Sequence, residues 1–152
     1  MIVRVWKSHL TFWFMLALIA FWGVAYVWPP SWFLSVDSIF VHNSMSRQEV
    51  YMRVDREIKR PFIARWDVLV REVDSKGSQV VCSSSGGGDY TPDGKLPNPL
   101  TLSWWTSGAC ETLAPGVYYV STVWTIEGGG LPDKVIKVES NIFEVEDIDN
   151  GP

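Results

Sequence analysis

The stretch Tyr-Tyr-Val-Ser-Thr-Val-Trp-Thr-Ile, residues 118–126, decides the fold. Tyr118, Val120, Thr122, Trp124 and Ile126 fall on one side of an extended chain, because side chains alternate between faces with a period of two. A helix would scatter the same residues around its axis. Most are aromatic or β-branched, the types that fit a pleated, half-buried surface. The stretch therefore reads as a strand with one face turned to a core.

The same alternation recurs on both sides of it. In residues 33–41, Leu34, Val36, Ser38 and Phe40 share a face. Val50, Met52 and Val54 alternate with Tyr51, Arg53 and Asp55, and Trp66, Val68 and Val70 with Asp67, Leu69 and Arg71. Residues 79–83 read as a short strand. Leu100, Leu102 and Trp104 alternate with Thr101, Ser103 and Trp105, which places Trp104 inward and Trp105 outward. Residues 135–145 form the last strand, with a parity shift that predicts a bulge or bend near Ser140-Asn141. Turn chemistry punctuates these runs at Lys76-Gly77, Gly86-Gly87-Gly88, Asp93-Gly94 and Pro132-Asp133. Residues 83–99, polar and rich in Gly and Pro, read as one long surface loop. About seven strands in residues 33–146, with no amphipathic helix among them, predict an all-β sandwich.

The segment Leu113-Ala114-Pro115-Gly116-Val117-Tyr118-Tyr119-Val120 resembles the approach to the sixth strand of fibronectin type III and related immunoglobulin-like domains. That resemblance implies a tyrosine corner at Tyr118 or Tyr119 and a buried tryptophan at Trp66. Residues 140–145 are similar to the last strand of many bacterial immunoglobulin-like modules. The cysteines depart from the pattern, since they do not sit at the inter-sheet positions of antibody domains.

Upstream lies LTFWFMLALIAFWGVAYVW, residues 10–28, without a charge. As a helix, nineteen such residues cover about 28 Å, close to the ~30 Å hydrocarbon core of a bilayer. Arg4 and Lys7 precede the run and the next charge is Asp37, so the expected orientation is N-terminus in and C-terminal domain out. Trp6 and Trp28 flank it as interfacial anchors, and Pro29-Pro30 stops it. Gly23-Val24-Ala25 also offers small residues for signal-peptide cleavage after Ala25, so an uncleaved anchor and a cleaved signal both stand. The expected organisation is a short cytoplasmic N-terminus (1–9), a transmembrane helix (10–28), a linker (29–32), an extracytoplasmic sandwich (33–146) and an acidic tail (147–152). An anchor carrying one such domain resembles small envelope proteins of bacteria and their phages.

Composition narrows the function. The chain has 152 residues, two Cys, two His and a net charge of −4. The charge argues against a nucleic-acid partner. Two cysteines cannot build a four-cysteine zinc site. No G-x-S-x-G, H-E-x-x-H or P-loop occurs, so no catalytic residue, metal or cofactor is expected. Cys82 and Cys110 both lie in the part expected to be exported, where a disulfide can persist.

Three groups of residues are candidates for recognition. The loop at 83–99 offers Asp89, Tyr90 and Asp93, since loops on rigid sandwiches carry recognition. Arg53, Arg56, Lys59, Arg60 and Arg65 form a dense basic run that suits an acidic partner or anionic headgroups, or else a solvated face with cross-strand ion pairs. Trp105 is the candidate exposed ring for stacking on a sugar. The expected function is a non-enzymatic, single-pass protein of the cytoplasmic membrane. Its immunoglobulin-like domain would meet an envelope or membrane protein as an accessory, assembly or exclusion factor. The alternative is a tethered carbohydrate- or peptidoglycan-binding module. Self-association through the acidic tail and the basic run of a second copy is a further expected contact.

Overall fold

A computed structural model describes the backbone of residues 2–148, and the side chains from residue 9 onward except that of Ala25. Helix α1 (Ile2–Val27) is followed by a single 3-10 turn, Pro30–Trp32, which begins on a proline whose missing N–H costs it nothing there. The large apolar side chains of α1 face outward all round: Leu10 is 71% exposed, Trp13 65%, Ile19 68% and Val27 78%. Among the described residues no helix is long and apolar enough to cross a membrane. The side chains of Arg4, Trp6 and Lys7, which carry the expected orientation, lie outside the described residues.

The rest of the chain is mostly β, in two sheets. The first joins β1 (Leu34–Val41), β3 (Tyr51–Ile58) and β6 (Leu100–Thr101) in that order. The second runs β2 (Ser44–Met45), β9 (Phe143–Glu146), β7 (Gly116–Ile126), β4 (Phe62–Asp74), β5 (Gly77–Tyr90), with β8 (Lys134–Glu139) also paired to β7. The inner faces meet over Leu34, Val41, Val68, Val70, Val120 and Phe143, all nearly or wholly buried. As 118–126 predicts, Tyr118, Val120, Thr122, Trp124 and Ile126 are the buried row of β7.

Three expectations are corrected. The first strand keeps Leu34 inward, but a register shift between Val36 and Ser38 flips its parity. Ile39 and Val41 are consequently buried, and Phe40 is exposed. Residues 83–90 are not loop but the second half of β5, which pairs with β4 from Gly77 to Tyr90. Serine and glycine have low strand propensity, yet a continuous ladder to a neighbouring strand overrides it. Residues 102–105 are not strand but one helical turn, α2 (Leu102–Trp105). Thr101 caps it, its hydroxyl accepting the Trp104 N–H at 3.3 Å. This turn replaces period-two alternation and reverses the two indoles, leaving Trp104 exposed and Trp105 buried.

The last strand breaks where the parity shift predicts, between β8 and β9 at Ser140-Asn141. β8 pairs with residues 121–126 of β7, and β9 pairs with 116–118 further along the same edge. Between them Ser140 Oγ accepts the Val120 N–H at 2.9 Å. Asn141 turns to the other sheet: its Oδ1 accepts the Val41 N–H at 2.7 Å and its Nδ2 donates to the Val41 carbonyl at 2.9 Å. One side-chain amide thereby satisfies both backbone groups of Val41 and stitches β1 to the chain between β8 and β9.

Candidate functional site: a tryptophan-lined cleft

β6 is two residues long and pairs only with Tyr51 and Met52 at the start of β3. Past that point β3 has no strand on this side among the described residues. The result is a cleft of about 680 Å³ between the sheets, lined chiefly by Arg56, Trp66, Tyr90, Trp104, Trp105 and Trp124. That is within the ~300–1,000 Å³ typical of small-ligand sites.

Its walls are built residue by residue from the strand registers. Trp124 of β7 is 1% exposed and stands opposite Trp66 of β4, which in turn stands opposite Gly86 of β5. The Trp66 ring lies over Gly86 so closely that a Cβ there would come within 2.6 Å of Cζ2. A glycine is thus required at 86 for the indole to lie flat against the strand. On the opposite wall Trp105 meets Trp124 edge-on, with centroids 6.0 Å apart, and its Nε1 donates to Thr122 Oγ1 at 3.1 Å. Trp104 tilts beside it at the mouth, 55% exposed.

The rim that carries Trp104 is held at both ends. Thr106 Oγ1 donates to the Leu102 carbonyl at 2.8 Å and accepts the Cys110 N–H at 3.2 Å. The Cys82–Cys110 disulfide ties this segment to β5, with Cα atoms 6.0 Å apart. The aromatic wall is therefore preformed.

At the far end Tyr90 stacks on Phe62, centroids 4.9 Å apart and planes 3° apart, and the Arg56 guanidinium lies 5.8 Å over the Tyr90 ring. Burial pushes the Arg56 guanidinium below its ordinary value, partly offset by Tyr90. Burial pushes the Tyr90 phenol up, opposed by the Trp124 indole and by Arg56. Both are changes of environment, not of charge state near neutrality: the guanidinium stays a cation and the phenol stays neutral. Glu49 is the acid on the rim, exposed to solvent.

The expected site residues are distributed differently from the sequence pattern. Of the supposed loop, Tyr90 ends β5 and enters the cleft. Asp89 is exposed opposite Ile63, and Asp93 sits in a turn closed by the Gly94 N–H on the Thr91 carbonyl at 2.9 Å. Trp105, the expected exposed ring, is 8% exposed, and Trp104 takes that place. The basic run is not one patch. Arg53 points outward to Asp55 at 3.1 Å, and Arg65 reaches Asp133 at 3.5 Å and Glu127 at 3.8 Å. Lys59 is exposed, and Arg60 lies over the Trp28 and Trp32 rings at 5.9 and 5.5 Å. Arg56 alone of these enters the cleft. Its inward place was readable in the row Val50, Met52, Val54, Arg56, Ile58, where a charge replaces an apolar residue. Trp104 gave no such signal, because a single helical turn is too short to leave a periodicity.

A second aromatic cluster joins α1 to the sandwich. Trp28 packs edge-on against Trp32 at 4.3 Å and tilts against Phe33 at 6.5 Å. Lys134 Nζ donates to the Tyr26 carbonyl at 2.6 Å and lies over the Tyr26 ring. This cation closes the C-terminal end of the helix, where the unsatisfied carbonyls are negative.

No protein-family model, no curated protein and no solved structure matches the chain.

Proposed function

We propose that this chain is a non-enzymatic, single-pass membrane protein whose immunoglobulin-like domain stands outside the cytoplasm and takes a glycan of the envelope into its tryptophan-lined cleft. The observation that carries the binding role is the cleft itself: four indoles and a phenol converge on one concavity, one of them exposed at its mouth. Aromatic faces in a preformed concave site suit the C–H faces of sugar rings more than they suit a flat protein surface.

The immunoglobulin-like assignment is supported by strand order. β1, β3 and β6 take the A, B and E places, and β5, β4, β7 and β8–β9 take the C′, C, F and G places. Tyr118, 2% exposed, donates from its hydroxyl to the Ala114 carbonyl four residues upstream at 2.8 Å, the geometry of a tyrosine corner. The anchor is supported by the charge-free run at 10–28 and by the outward apolar side chains of α1, a surface too greasy to leave in water. Export is supported by the disulfide. A protein partner is the second reading, favoured by β5, whose outer edge over fourteen residues has no strand beside it among the described residues.

The test is co-sedimentation of the full chain, in detergent, with insoluble cell-wall glycan. The native protein is expected in the pellet and Trp104→Ala in the supernatant. A native protein that stays in solution, or a variant that pellets equally, overturns the glycan reading.

A further inference from the structure

Val50 and, in β3, Met52 and Ile58 are buried in one row, and between them Val54 and the charged Arg56 are half-buried, Arg56 lining the cleft. Cations removed from water are normally paired with an acid. Among the described residues the ion pairs join Arg53 to Asp55, Arg65 to Glu127 and Asp133, and Lys137 to Glu139. None involves Arg56. Its guanidinium is instead held against the Tyr90 ring, which Phe62 backs in turn. The cation therefore sits at the end of an aromatic cleft, and among the described residues no acid lies within salt-bridge distance of it.

We propose that the cleft is selective for an acidic sugar, a pyranose ring bearing a carboxylate. This rests on the glycan reading above and adds the substituent that the ligand must carry. The exposed Trp104 ring offers a stacking face. Arg56 offers a planar, bidentate donor pair that matches a carboxylate. Ser103, Ser107 and Glu49 on the rim offer the polar groups that sugar hydroxyls need. A neutral ligand that covered the half-buried guanidinium would take it further from water without an acid partner, which is the physical source of the selectivity.

The experiment titrates the full chain in lipid nanodiscs with three probes, read by intrinsic tryptophan fluorescence and calorimetry. They are a galacturonic acid trisaccharide, the same trisaccharide with its carboxyls reduced to alcohols, and an acetylated tripeptide with a free C-terminal carboxylate. The acidic trisaccharide is expected to bind at least about tenfold more tightly than the reduced one. Arg56→Gln should erase that difference while near-ultraviolet circular dichroism stays native, and Arg56→Lys should keep part of it. Raising the salt concentration should narrow it. Equal affinity for the two sugars, with both lost in Trp104→Ala, overturns the acidic selectivity and leaves the glycan reading standing. Binding of neither sugar overturns both. Tighter binding of the peptide identifies Arg56 as a carboxylate site for protein termini and overturns the sugar assignment.

Discussion

Trp66 and Gly86 face each other across the β4–β5 ladder, and the indole occupies the volume that any side chain at 86 would need. The glycine-rich half of β5 is thus part of the cleft wall. Gly86→Val is expected to displace the Trp66 ring at a cost of about 1–3 kcal/mol, the range for overpacking. Chemical denaturation should register that loss, and near-ultraviolet circular dichroism should register the moved indole. An unchanged spectrum would mean that Trp66 does not rest on this strand.

Tyr118, rather than Tyr119, is the buried tyrosine whose hydroxyl bonds back to the chain, at the Ala114 carbonyl. Tyr118→Phe removes the hydroxyl that donates to Ala114 and is expected to cost about 0.5–1.5 kcal/mol. Tyr119→Phe, whose hydroxyl meets the exposed Ser78, should be close to neutral. Urea midpoints of the two variants check the difference.

Alkaline pH should act through the phenols. Burial raises Tyr118 above the ordinary 10.0, reinforced by Glu72, and burial also raises Tyr90. A folded-state value above the unfolded one means that the neutral phenol is favoured in the fold. The stability this contributes is complete below about pH 10 and is lost as the pH rises through the folded-state values. Thermal melts should therefore fall above pH 10, and Tyr118→Phe should flatten that decline. Tyrosinate absorbance should show two phenols that ionise late and become titratable at once on unfolding.

Removing the disulfide should loosen the rim of the cleft as well as the fold. Cys82 and Cys110 are 28 residues apart, and closing a loop of that size contributes about 3–4 kcal/mol on the chain-entropy model. Cys82→Ala should lose that much, and the segment carrying Trp104 should exchange amide hydrogens faster than β7. The unmodified protein should contain no thiol that reacts under denaturing, non-reducing conditions.

The sequence was most informative where a strand has one wet and one dry face. β7, β4 and the first half of β3 were legible because their inward residues alternate with outward ones, and Ser140-Asn141 was legible because the alternation breaks there. β5 was not, since its stability as a strand comes from the ladder to β4 and from the ring that Gly86 accommodates, neither of which is local. Residues 102–105 misled because four residues fit either period, and the Thr101 cap decides between them. The cleft followed the same rule. Tyr90 and Arg56 were singled out, but as members of a loop and a patch. Their meeting depends on the short β6, which leaves the first sheet open.

The proposed function requires the sandwich to be folded outside the cytoplasm and held at the membrane by α1. Alkaline phosphatase and green fluorescent protein, each fused in turn after Pro152 of the full chain, measure this directly when expressed in a bacterium and combined with carbonate extraction of the membranes. The account predicts an active phosphatase, a dark fluorescent protein exported through the general secretory route, and a fusion that stays in the carbonate-washed membrane. An inactive phosphatase with a bright fluorescent partner would contradict it, placing the domain and both cysteines in the cytoplasm.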